Sequence, residues 1–182
     1  MESFFELIKS RRSCRKFKSE KPDKSIIDKI LQSCLMSPSS KSRSPWHFVL
    51  IDDQALLKRL SMSKPHGSKL IAEAPIAIVI LADPATSDVW IEDTSIASIN
   101  LQMAAEDSGL GSCWVQIRNR DYDEQTTSEK YIRGILNIPE NMMIESIIAL
   151  GYKDENKEPH DIQKLKKDRI SYNQFKNKYS FD

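Results

Sequence analysis

The chain has 182 residues, 40% of them hydrophobic and 29% charged, with a net charge of +1. That is the length of one domain with a sizeable core, and the balance excludes a globally basic nucleic-acid binder or a membrane-surface polycation. Three scattered cysteines, Cys14, Cys34 and Cys113, show no C-x-x-C spacing and exclude a disulfide framework of the secreted kind.

In chain order, Ser3 is placed to cap a short helix carrying Phe4, Phe5, Leu7 and Ile8, a start that reads as helix rather than leader peptide. A basic run from Lys9 to Lys18 follows. Pro22-Asp23 open a second helix whose apolar positions Ile26, Ile27, Ile30, Leu31, Cys34 and Leu35 share one face. Residues 37–45 are too rich in Pro and Ser for helix or inner strand. Trp46 to Ile51 is a strand by β-propensity. Residues 54–61 suggest a turn or two of helix, and Lys64-Pro65-His66-Gly67-Ser68 a loop.

Ala77 to Ala82 is a continuous apolar run, so a strand buried on both faces. With Pro75 it is still far short of the ~20 residues that span a bilayer. The strongest helix covers 93–108, with Asp93 or Thr94 as its cap, and is nearly apolar all round, which makes it central. Gly109-Leu110-Gly111 stop it. Strands at 112–117 and 144–152 bracket a helix at 128–136.

Beyond Tyr152 the chain is polar and basic, with a late aromatic set at Tyr172, Phe175, Tyr179 and Phe181. That segment has too few apolar residues to pack alone and is expected to wrap over a partner subunit. Four strands interleaved with helices imply a central sheet covered on both sides. The expectation is one domain over 1–182, with 151–182 an extended C-terminal segment, in a cytoplasmic protein.

Chemistry-bearing residues cluster in three places. In the first, Arg11, Arg12, Ser13 and Arg15, guanidinium forks and a hydroxyl suit a phosphate monoester. Positions 11, 13 and 15 point the same way if the segment is extended. On composition alone such a run is more often a solvated face beside a helix end. The second, Pro38-Ser39-Ser40-Lys41-Ser42-Arg43-Ser44-Pro45, is linker-like but lies between a helix and a buried strand, so it is a structured loop. The third, Gly109-Leu110-Gly111-Ser112-Cys113-Trp114, closes a helix and opens a strand, the reverse of a dinucleotide fingerprint. No P-loop lysine, zinc spacing or acid/base dyad stands out, and Cys113 and His47 read as packed strand residues. A polyanion grip without a protein nucleophile fits an enzyme whose chemistry a cofactor carries.

These residues carry a resemblance. Arg11-Arg12-Ser13-Cys14-Arg15-Lys16-Phe17 resembles the R-R-S-x-R-x-F signature of the nitroreductase family. Ser37 to Phe48 resembles its [AS]-P-S-x-x-N-x-Q-P-W-x-F, Gly109 to Trp114 its G-L-G-[ST]-C-W, and Gly151-Tyr152 its final G-Y. All four occur in order.

The resemblance implies an α+β three-layer sandwich with a central mixed, mostly antiparallel sheet and a C-terminal segment reaching the partner. It implies a homodimer with FMN at the subunit interface and hydride transfer from NAD(P)H to a small acceptor such as a nitroaromatic or quinone. Carried over, Arg11, Arg12, Ser13 and Arg15 hold the phosphate and ribityl chain. Pro38, Ser39, Ser40 and Ser42 come from the other subunit. Trp114, Val115 and Gln116 run past the isoalloxazine, Lys69 meets the pyrimidine edge, and Lys167 and Arg169 complete the phosphate pocket. Ser42 and Ser44 replace the family's Asn and Gln, and no long lid insertion follows the second strand. Specialised flavin chemistry, such as dehydrogenation or reductive dehalogenation, is the alternative; a basic nucleic-acid or partner-binding module is a distant third.

Overall fold

The computed structural model of the chain describes residues 3–181. Helix α1 (Phe4–Ser10) begins where Ser3 Oγ accepts the Glu6 N–H. Helix α2 (Lys24–Leu35) turns Ile27, Ile30 and Cys34 inward. Then come β1 (Trp46–Ile51), α3 (Gln54–Leu60), β2 (Ile76–Ala82), α4 (Trp90–Asp107), β3 (Leu110–Gln116), α5 (Ser128–Leu136) and β4 (Met143–Tyr152).

The strands form one four-stranded sheet in the order β1-β2-β4-β3, with every neighbouring pair antiparallel. Among the described residues the parallel pairing is confined to a bridge between Ser13 and Ser112 on the outer edge of β3.

Strand alternation sorts the core into two halves. On one face Ile76, Ile78, Ile80, Leu110, Ile148 and Leu150 pack against Ile27, Ile30 and Cys34 of α2 and Leu101 and Ala105 of α4. On the other, Ala77, Val79, Val115, Ile147 and Ala149 pack against Leu57 and Leu60 of α3 and Ile132 and Ile135 of α5. The result is the α+β three-layer arrangement. Every residue of β2 is buried, which is why its sequence shows no alternation. Each fully buried Leu or Ile contributes about 1.5–3 kcal/mol.

Two local features depart from the sequence pattern. Helix α4 starts at Trp90, one turn before the predicted cap. Asp93 lies inside it, buried, and its carboxylate accepts the Ser40 N–H and the Ser87 hydroxyl, both at 2.8 Å. Thr94 is also internal, with its hydroxyl donating to the Trp90 carbonyl at 2.7 Å. Strand β4 carries a bulge: Ile80 pairs with Ser146 but Leu81 with Ile144, leaving Glu145 as the extra residue. Its carboxylate turns toward α4, where it accepts the Ser95 hydroxyl at 2.8 Å.

From Glu158 to Phe181 every side chain is exposed, Phe175 to 87%. The segment folds on itself only in short turns and one bridge, Ser171 to Lys178. Apolar residues also face outward from α1 (Phe4, Phe5, Ile8) and from α4 (Ile96, Ile99). No helix among the described residues is long and apolar enough to cross a membrane.

Candidate functional site

The basic segment after α1 is pinned along its length. Ser13 bridges Ser112, and the Cys14 N–H donates to the Ser112 carbonyl at 2.9 Å. The Arg15 N–H donates to the Glu155 carboxylate, and Lys157 Nζ to the Ser13 carbonyl. The Lys16 carbonyl accepts the Asp154 N–H at 3.0 Å, and the Lys18 N–H reaches the Tyr152 carbonyl at 2.9 Å.

Two motif glycines make this path possible. A Cβ on Gly111 would lie 2.6 Å from Cys14 Cβ, and one on Gly151 would lie 2.6 Å from Pro75 Cδ and 3.4 Å from Phe17 Cδ1. The G-L-G and G-Y motifs thus clear the sheet end over which the basic segment passes. Glu155 is held below the usual carboxylate range, first by the Arg15 N–H and further by Lys157, its ion-pair partner at 3.2 Å.

Extended backbone sends alternate residues to opposite sides. Ser10, Arg12 and Cys14 line a small cavity with Lys153, Glu155 and Lys157, and Arg12 donates to the Glu158 carbonyl. Arg15 faces a separate, open cleft of about 400 Å³, lined also by Pro65, His66, Gly67, Lys69, Leu70, Cys113 and Trp114. No carboxylate lines it. Burial raises the Cys113 thiol, while the charges of Arg15, Lys157 and Arg11 oppose that rise. Arg15 thus lines the cleft, whereas Arg12 belongs to the other side; Arg11 and Ser13 line neither cavity.

This cleft lies on the open edge of β3. The Ser112 carbonyl takes the Cys14 N–H, and the Gln116 carbonyl takes Lys64 Nζ at 3.0 Å, both on the side away from β4. Ladder alternation gives Trp114, between them, the same outward main chain, so a flat heterocycle can meet its N–H and C=O. The Trp114 indole donates to Gln116 Oε1 at 2.9 Å, and the Gln116 amide donates to the Arg118 carbonyl at 3.0 Å. Val115 points its side chain into the core and, by the same alternation, turns its main chain toward Ile147 of β4, so it offers the cleft neither.

The serine loop is ordered but elsewhere. Ser39 Oγ accepts the Ser44 N–H at 2.9 Å, Ser40 is tied to Asp93, and Ser37 Oγ accepts from Asn100 at 2.9 Å. Lys41, Ser42 and Ser44 have φ of 51, 54 and 46°. Arg43, next to the two substituted family positions, pairs with Asp88 at 3.0 Å. The loop enters β1 at Trp46, level with Ala82, whereas Ser112 is level with Leu150 and, through it, Ile76. Three strand steps of about 4.8 Å and six residues of about 3.3 Å put the two segments roughly 25 Å apart, at opposite corners of the sheet. Pro38, Ser39, Ser40 and Ser42 do not share the cleft with Arg15 in one chain.

Lys167 and Arg169 are exposed on the C-terminal segment, Lys167 Nζ 5.3 Å from the Phe181 ring and Arg169 3.7 Å from Asp168, and neither lines the cleft. Sequence reasoning missed Lys64, His66, Gly67, Glu155 and Lys157. A Lys-Pro-His-Gly run signals only a loop, and its neighbour across the cleft is set by the fold.

The chain matches the family model described as "Nitroreductase family" over residues 8–64 and 62–152. It is 33% identical over 175 residues to a protein of Archaeoglobus fulgidus provisionally named an NADH dehydrogenase/NAD(P)H nitroreductase, an alignment covering 93% of this chain and 97% of that protein. An iodotyrosine deiodinase of Thermotoga neapolitana is 24% identical over 189 residues, covering 86% of this chain and 92% of its own. Among solved structures, an FMN-dependent nitroreductase of Clostridium difficile R20291 superposes with a TM-score of 0.93 at 42% identity, covering 94% of this chain and all (100%) of that one.

Proposed function

With membership of the nitroreductase family as premise, we propose that this chain is an FMN-dependent homodimeric oxidoreductase, one domain over 1–182, that passes a hydride from NAD(P)H to a small acceptor such as a nitroaromatic or quinone. The observation that carries the reading is the carboxylate-free cleft on the open edge of β3, with Arg15 and Lys69 on its walls. Its residues fit the group: cations for a phosphate and an electron-rich ring edge, and an outward main chain at Trp114 for a planar heterocycle.

When bound, FMN supplies a two-electron carrier that takes and gives hydride at its N5 atom. Arg11, Ser13 and Arg15 grip the phosphate and ribityl chain. Lys69 holds the pyrimidine edge and, with Arg15, stabilises negative charge that develops there. Trp114 supports the ring, and Gln116 fixes the Trp114 indole. Overall, NAD(P)H, a proton and a quinone give NAD(P)⁺ and hydroquinone, the proton entering from solvent through the open cleft.

The second wall is the partner's serine loop, Pro38 to Ser42. Three observations support a two-chain site: the roughly 25 Å separation within one chain, the exposed apolar residues of α1 and α4, and a C-terminal segment whose residues from Glu158 to Phe181 are all exposed. Docked on a partner, that segment would bring Lys167 and Arg169 toward the phosphate. The link from β2 to α4 is only residues 83–89, too short for a lid, which favours small unspecialised acceptors over dehalogenation.

Titration of the purified protein with FMN, followed by anaerobic NADH addition, tests the reading. Saturable binding and bleaching of the oxidised-flavin bands are the expected result; a chain that binds no FMN would falsify it.

A further inference from the structure

Reduction of a quinone needs a proton as well as a hydride, and the cleft offers few groups that can give one. The side chains of its lining with a dissociable proton are Arg15, His66, Lys69 and Cys113. A guanidinium does not give its proton up. Lys69 is committed to the ring edge in the reading above. Burial raises the Cys113 thiol, which makes it a poorer acid. That leaves His66, because an imidazole exchanges its proton between about pH 5 and 8.

The loop that carries His66 is fixed at its base and along its length. The Ser63 N–H donates to the Leu60 carbonyl at 3.0 Å, and the Ile71 N–H to the Ser68 carbonyl at 3.0 Å. The buried Ser68 hydroxyl donates across the loop to the Ser61 carbonyl at 2.7 Å, with the Lys64 carbonyl 3.2 Å away. Lys64 Nζ ties the loop to the end of β3 through the Gln116 carbonyl at 3.0 Å. At the tip, Pro65 restricts its own φ and Gly67 turns the chain at φ +81°, with His66 exposed between them. The charged groups of the lining are Arg15 and Lys69, and Lys64 Nζ borders the tip, 3.7 Å from where a Cβ on Gly67 would sit. The turn after β3 carries Arg120 with Asp121, Asp123 and Glu124, none of which lines the cleft.

We propose that His66 is the proton donor to the acceptor in this cleft. The acceptor gains a hydride with its electron pair, and the His66 imidazolium gives its N–H proton to the acceptor oxygen left negative. For a quinone this completes the hydroquinone and leaves a neutral imidazole, which solvent at the open cleft reprotonates. The inference rests on the functional reading above and adds the residue through which the solvent proton passes.

The test compares the FMN-loaded wild type with H66Q and H66N. Duroquinone is the acceptor, and ferricyanide is a one-electron reference that takes up no proton. The duroquinone to ferricyanide ratio of kcat/KM at neutral pH is expected to fall about a hundredfold in both variants, the lower end of what a positioned acid contributes. In wild type that ratio falls as pH rises from about 5 to 8, where an imidazole loses its proton, and in the variants it stays level. Contact is read without turnover: in the oxidised protein, the histidine ring signal missing from the H66Q proton NMR spectrum is expected to shift as duroquinone saturates the wild type. His66 is exposed, so a neutral replacement leaves the core intact, and H66N covers a failure of H66Q to fold. A ratio that the variants leave near the wild-type value, or a His66 signal that duroquinone leaves in place, overturns the proposal. Absence of FMN binding overturns the parent reading and the proposal with it, whereas FMN binding with a wild-type pH profile in H66Q overturns the proposal alone.

Discussion

Gly111 and Gly151 show how single atoms decide the site. Ala at either position places a methyl 2.6 Å from a neighbouring carbon, Cys14 Cβ or Pro75 Cδ. Each substitution should cost about 1–3 kcal/mol by overpacking. G111A should also weaken FMN binding, because Cys14 is adjacent to both Ser13 and Arg15. Gly134 on α5 meets nothing within 4 Å, so G134A should instead stabilise by about 0.5–1 kcal/mol through helix propensity. Urea unfolding of the three variants, with an FMN titration of each, checks the contrast.

Two glutamates should shape opposite arms of the stability profile. Burial raises Glu145, despite hydrogen bonds from Thr94 and Ser95. Its contribution is therefore full below the unfolded Glu pKa of about 4.3 and lost as pH rises through the raised folded value. Glu155 is depressed by the Arg15 N–H, so its contribution is present above about 4.3 and lost as pH falls through the folded value. E145Q should flatten the alkaline arm and E155Q the acid arm. Urea midpoints across pH that move the other way would sink the assignment.

At the scale of elements, helices and strands were legible because periodicity reports burial. The unbroken apolar run of β2 and the one-sided pattern of α2 became a central strand and an amphipathic helix. The start of α4 was misread because Asp is a common cap residue. Its carboxylate instead serves Ser40, which no local pattern announces, and Ser87. D93A should cost about 1–3 kcal/mol by orphaning the buried Ser87 hydroxyl and the half-buried Ser40 N–H. It should also loosen the 39–44 loop, seen as faster proteolytic cleavage there; unchanged stability and cleavage would show that Asp93 does not hold the loop.

The whole molecule is where the two halves of the proposed cofactor site meet. If the second wall comes from a partner, I99E on the exposed face of α4, or removal of residues 158–182, should shift sedimentation toward monomer. Flavin absorbance should leave the sedimenting boundary with it, with FMN affinity down at least about tenfold. A monomer that keeps its FMN would show that one chain suffices.

By itself the sequence determined the order and kind of the core elements, and it located residue types suited to the proposed phosphate grip, because both are written in local spacing. Tertiary structure decided which of those residues meet. It set Arg15, Lys69 and Trp114 around one cleft and turned Arg12 and Val115 away from it. It also brought Lys64 beside Gln116 and left the serine loop at the far corner of the sheet. The reason is that sheet order and crossing segments, fixed by global packing, set distances between residues far apart in the chain, and no local pattern encodes them.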